Sequence, residues 1–133
     1  MQNIMRVDQT LFGHPNGNCF SACIASVLHL PIENVPSFMG RGDGGEWFDA
    51  LAEWLKPRGL YPLFFNLKGW SPPDDAVCIL GGKSPRGDFM HAVVGVGARV
   101  EHDPHPSRAG LVTMDDVTLL VPYTYQRFAE VLT

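Results

Sequence analysis

The sequence predicts an α+β domain, with N-terminal helices packed on a C-terminal antiparallel sheet, and three observations carry that expectation. Apolar residues recur at helical spacing in two stretches of the first half. Short runs rich in valine, leucine and aromatic residues follow in the second half. Turn-forming stretches at 70–75, 81–88 and 104–110 separate those runs. A chain of 133 residues can bury one core, so residues 1–133 read as a single domain.

The first helix is expected from Cys19, with Phe20, Cys23, Ile24, Val27 and Leu28 on one apolar face. Asn18 is its expected N-cap and Pro31 its stop. One further helical turn is expected over Ile32–Val35. The segment 41–45 reads as a flexible loop, in which Asp43 caps a second helix and Glu46 completes a capping box. Trp47, Phe48, Leu51, Trp54 and Leu55 form that helix's apolar face, and Pro57 and Gly59 stop it. Strands are expected at Leu60–Leu67, Ala76–Leu80, His91–Val96, Arg99–His102 and Val117–Val121.

Hydrophobic residues make up 45% of the chain and charged residues 18%, a globular balance. A net charge of −4 argues against nucleic acid or an anionic membrane as the main partner. Residues Met1–Asp8 carry no apolar signal-type stretch, and no later run is long enough to cross a bilayer. Three cysteines, an odd number, suggest no disulfide framework, so a reducing cytoplasm is the expected compartment.

Two features point to chemistry. The run 17–28 opens a helix directly on Cys19, and a helix N-terminus is where backbone N–H groups and the dipole favour thiolate over thiol. The second feature is the stretch 91–103, with a glycine at its midpoint. A tight turn centred on Gly97 would pair Val93 with Glu101 and His91 with Asp103. Opposed residues stand about 4.5–5.5 Å apart at Cβ, close enough for an imidazole and a carboxylate to share a hydrogen bond. A carboxylate on one ring nitrogen fixes the tautomer and leaves the other nitrogen for a thiol. The plainer alternatives are a structural helix-start cysteine, a histidine that satisfies a loop carbonyl and an aspartate that caps a turn. Cys23 and Cys78 are expected in the core.

On Cys19, His91 and Asp103, the chain resembles compact members of the papain-like cysteine peptidase superfamily. The segment 91–104 is similar to the histidine and Asp-Pro strands of bacteriocin-processing peptidases. The segment 16–20 is similar to the cysteine box of ovarian-tumour-type deubiquitinases. Most of the length resembles small uncharacterised proteins of bacteria and their phages. The resemblance implies Cys19 as nucleophile, His91 as general base and then acid, and Asp103 as the group that orients the ring. It also implies an upstream glutamine as an oxyanion donor. Gln9 stands ten residues before Cys19, farther than is usual in the family, so the loop Leu11–Gly17 must bulge. Asn16 and Asn18 are alternative donors.

The expected function is that of a cysteine hydrolase or acyl transferase on an amide, isopeptide or thioester bond, most simply a peptidase, needing no cofactor and taking a protein or peptide substrate. The alternative is a non-enzymatic protein-binding module on the same scaffold, such as a phage protein that sequesters a host factor. His102, Asp103 and His105 invite a metal reading, but strand alternation sends His102 away from Asp103. His14 and His29 read as loop and helix-end residues. The two Arg-Gly-Asp triplets, 41–43 and 86–88, read as loop chemistry. The glycine-rich run 81–87 lacks the full phosphate-loop spacing and reads as one wall of a cleft, where Arg86 or the backbone could hold substrate.

Overall fold

A computed structural model describes residues 4–38 and 45–123. Its elements are two α-helices, α1 (Cys19–Leu28) and α2 (Glu46–Leu55), then strands β1 (Leu60–Asn66), β2 (Val77–Lys83), β3 (Met90–Val96), β4 (Arg99–His102) and β5 (Asp116–Pro122). Short 3-10 turns cover Ile32–Asn34 and Lys56–Arg58. The strands form one sheet in the order β1-β5-β2-β3-β4, with every neighbouring pair antiparallel. The expected α+β class, with helices first and an antiparallel sheet after them, is the observed architecture.

Both helices cover one face of the sheet. Phe20, Cys23 and Ile24 of α1 and Leu51 and Leu55 of α2 share a core with Ile79, Ala92 and Val94. Leu51 and Leu55 are completely buried, which stabilises the fold by about 2 kcal/mol each. On the opposite face, Cys78, Leu80, Val93 and Val117 form a second cluster under Leu67, Leu111 and Met114. The backbone of 112–115 ties that cover down, through Val112 N–H to the Lys83 carbonyl and Asp115 N–H to the Gly81 carbonyl.

Helix α1 departs from the one-sided helix expected. Every residue from Phe20 to Ser26 is buried, because the N-terminal segment lies along its other side. Met5 N–H donates to the Ser26 carbonyl, and Val7 N–H donates to Ser26 Oγ at 3.0 Å. The helix also stops before Pro31. His29 takes a left-handed conformation at φ 60° after Leu28, and Leu30 N–H returns to the Ala25 carbonyl. For α2, the N-cap position is Gly45, with no side-chain cap. Glu46 is therefore the first helical residue and not the third of a capping box. Asp43, with 41 and 42, lies outside the described residues.

Strand β2 runs on through Gly81 and Gly82, where the sequence reads as turn. These glycines permit close approach. A Cβ on Gly82 would stand 1.8 Å from the Thr113 carbonyl oxygen, and one on Gly81 would stand 2.2 Å from Asp116 Oδ1. The β3–β4 turn also differs from the expected one. Val96 opposes Arg99 and Gly95 opposes Val100, but Val94 opposes His102, so Glu101 is an extra residue in a β-bulge. The expected pairs Val93–Glu101 and His91–Asp103 do not form, because the turn holds both Gly97 and Ala98 and the bulge then shifts the register.

Gly82→Ala should lower stability by about 2–3 kcal/mol, since the clash is with backbone and cannot be relieved by a rotamer change. Thermal melting against Gly45→Ala, where a Cβ meets nothing within 4 Å, checks this.

Candidate active site

The site is assembled around Asp103, which follows the last residue of β4. Asp103 and His91 are both buried. Asp103 Oδ1 accepts from His91 Nε2 at 2.7 Å and from the His105 N–H at 2.9 Å, while Oδ2 accepts from the Gly110 N–H at 2.7 Å. The loop 104–110 thus curls back on the carboxylate and fills its acceptor sites. Arg108 pins this loop. Its guanidinium donates to the Asp103 carbonyl at 2.6 Å and binds both carboxylate oxygens of Asp8 at 2.6 and 2.9 Å. The His91–Asp103 contact expected from sequence is therefore present, although the ladder pairing expected to make it is absent.

With Nε2 given to Asp103, Nδ1 is the ring nitrogen not committed to the carboxylate, and His91 and Cys19 line the same cleft. Burial disfavours a charged ring, but hydrogen bonds with Asp103 and Cys19 outweigh it, and the His91 pKa is raised to about 9. Burial likewise pushes the Asp103 carboxyl up, yet the hydrogen bonds from His91, His105 and Gly110 pull its pKa down to about 2. At neutral pH the pair is imidazolium and carboxylate. Burial drives the Cys23 thiol well above its ordinary value, with the Cys19 and Asp103 charges adding to it, and burial raises Cys78 to about 11. Both are core residues, as expected, and all three cysteines are free.

Cys19 is half-buried at the start of α1 and opens into a cleft of about 580 Å³. Phe20, Trp47, Phe64 and Ile79 give the cleft apolar walls, His91 and Ala92 line it from β3, and Asp116 and Thr118 line it from β5. Gly81, Phe89 and Met90 form another side, so the expected wall at 81–88 is present in part. Arg86 is not part of it, since its guanidinium donates to Ser107 Oγ. His14 stands at the cleft and not merely in a remote loop.

The loop Leu11–Gly17 does bulge, held by Gly17 N–H to the Gly13 carbonyl and Asn18 N–H to the Leu11 carbonyl. Asn18 occupies the expected N-cap position of α1, but its side chain makes no capping bond. Its Oδ1 accepts from the Thr10 and Leu11 N–H groups and its Nδ2 donates to Thr10 Oγ1, which commits the side chain to shaping the loop. Gln9 is buried, and its Nε2 donates to the same Leu11 carbonyl that receives Asn18 N–H. Its Oε1 is buried with no hydrogen-bond partner, and its backbone N–H donates to the Pro104 carbonyl. Gln9 thus stands between the cysteine loop and the aspartate loop. Asn16 is exposed.

His102, Asp103 and His105 do not converge. His102 Nε2 faces the Val7 carbonyl and Asp8, while His105 Nδ1 accepts from Ser107 N–H. No group of metal-ligating side chains occurs among the described residues. No described helix is long and apolar enough to cross a membrane. Sequence reasoning missed Asp116, one position ahead of the expected fifth strand, and the Arg108–Asp8 clamp. An Asp-Asp pair heading a strand was a visible signal for the first; nothing local marked the second.

Compared with protein-family models, with curated proteins and with solved structures, the chain gives no match.

The pKa directions set a pH window. The His91 contribution to stability is complete below the ordinary imidazole value of about 6.5 and is lost as pH rises through about 9. The Asp103 contribution is complete above the ordinary carboxylate value of about 3.9 and is lost as pH falls through about 2. In NMR titrations the His91 ring should show a midpoint near 9, and Asp103→Asn should move it down. A wild-type midpoint at the ordinary imidazole value would contradict this electrostatic account.

Proposed function

We propose that the chain is a papain-like cysteine hydrolase or acyl transferase, acting most simply as a peptidase on an amide bond. One observation carries the reading: a buried imidazole, held at Nε2 by a carboxylate at 2.7 Å, lines the same cleft as a half-buried thiol at a helix start. A purely structural histidine has no need of a solvent-facing thiol. The placement of Cys19 as the first residue of α1, in the lining of the cleft, agrees with it.

In this reading the Cys19 sulfur attacks the substrate carbonyl carbon and forms a C–S bond, and the carbonyl π electrons move onto oxygen. The Cys19 backbone N–H and the Gln9 side-chain amide are the proposed donors to that oxyanion. Gln9 Nε2 keeps one N–H on the Leu11 carbonyl and has a second to give. Collapse of the oxyanion breaks the C–N bond, and His91 delivers its proton to the leaving amine. Neutral His91 then takes a proton from water as the water oxygen attacks the thioester. The C–S bond breaks, the acid leaves and the thiolate–imidazolium pair is restored. An acceptor amine in place of water would make the same apparatus a transferase.

Mild iodoacetamide near neutral pH should label Cys19 before Cys23 or Cys78, as read by peptide mapping, and His91→Ala should slow that labelling. Equal labelling of all three thiols, or none in the native protein, would favour the non-enzymatic binding module instead.

A further inference from the structure

We infer that the cleft beside Cys19 is a subsite for a cationic side chain, a lysine or arginine of a peptide substrate, with Asp116 as the carboxylate that receives it. The inference rests on reading the cleft as a hydrolase site and adds the class of substrate. Asp116 heads β5 and opposes Gly81 of β2, which in turn opposes Ala92 of β3, the residue after His91. Two sheet spacings of about 4.8 Å put the Asp116 backbone roughly 10 Å from that point. Extended chain advances about 3.3–3.6 Å per residue, so a basic side chain within two residues of the reacting carbonyl reaches the carboxylate.

Gly81 has no side chain, and the Asp116 carboxylate rests where its Cβ would stand, while Asp116 itself lines the cleft. Phe64, Trp47 and Ile79 line the same cleft; they can pack on the methylene stem, and the aromatic faces attract a cation. Among the described residues, Asp116 has no ion pair or side-chain hydrogen bond, and no lysine or arginine lines the cleft. Asp88 adds a second carboxylate to the lining. Burial, followed by the Asp115 charge, pushes the Asp116 carboxyl up, a cost that an incoming ammonium or guanidinium would reverse. By contrast, the buried carboxylate near the site, Asp103, already has three donors. A carboxylate with no ion pair among the described residues, in a cleft that has acidic but no basic side chains in its lining, selects by charge.

The test uses two fluorescein-labelled hexapeptides of alanine and glycine that differ at one residue, lysine in one and norleucine in the other. Fluorescence anisotropy with Cys19→Ala protein measures binding without turnover. The lysine peptide should bind about tenfold or more tighter, and adding Asp116→Asn should collapse the ratio to near one. Equal binding of both peptides, or a ratio that survives Asp116→Asn, overturns the subsite. Cleavage by the wild-type chain is read separately. A charge preference in binding with no cleavage of any peptide and no Cys19 labelling would sink the hydrolase reading while leaving the subsite standing.

Discussion

The carboxylate of Asp103 is the group on which the site's geometry depends. It is buried beside a buried imidazole, and its two oxygens accept three hydrogen bonds, one from the ring and two from backbone N–H groups of its own loop. A buried charge without partners is strongly unfavourable, and removing one member of such a pair typically costs about 3–5 kcal/mol. The arrangement is therefore closed to small adjustments. It fixes which imidazole nitrogen faces the carboxylate and leaves the other uncommitted to it. The loop 104–110 is shaped by the same requirement, since its backbone must present two N–H groups inward.

Around that pair, elements distant in sequence are tied to one another. Arg108 joins the Asp103 carbonyl to Asp8, Asp8 meets His102 at 3.2 Å, and Gln9 N–H reaches the Pro104 carbonyl. The N-terminal segment therefore connects the aspartate loop to α1, on which Cys19 sits, through Met5 and Val7 to Ser26. The three groups of the site come from one helix start, one strand start and one strand end, and this strap holds the helix against the sheet edge. Ser26, a polar residue in the middle of a helix, is explained by this role. Its hydroxyl accepts from Val7 N–H and donates to the Ala22 carbonyl at 2.8 Å.

Both helices, the strand positions and the His91–Asp103 contact were legible in the sequence because each has a local signature. Apolar spacing marks α1 and α2, and alternation and turn residues mark β1 and β3–β5. What was not legible depends on tertiary contact. Gly81 and Gly82 read as turn formers, whereas the sheet needs their missing side chains where Asp116 and Thr113 press close. The bulge at Glu101 leaves no residue-type signal, so the register was assigned as if the ladder were regular. Asn18 has the chemistry of an N-cap, but the competing N–H groups of Thr10 and Leu11 claim its oxygen. Asp116 escaped notice because its meaning comes from the cleft and not from its neighbours in the chain.

The most direct measurement of the central claim is the reaction of the wild-type chain with p-nitrophenyl acetate, followed by nitrophenol release and intact mass. The account predicts a rapid burst approaching one equivalent, an acetyl group mapped to Cys19, no burst in Cys19→Ala, and slow acylation and deacylation in His91→Ala. Acetylation spread over lysines with no burst, or a burst that persists without His91, would contradict a thiol activated by this imidazole.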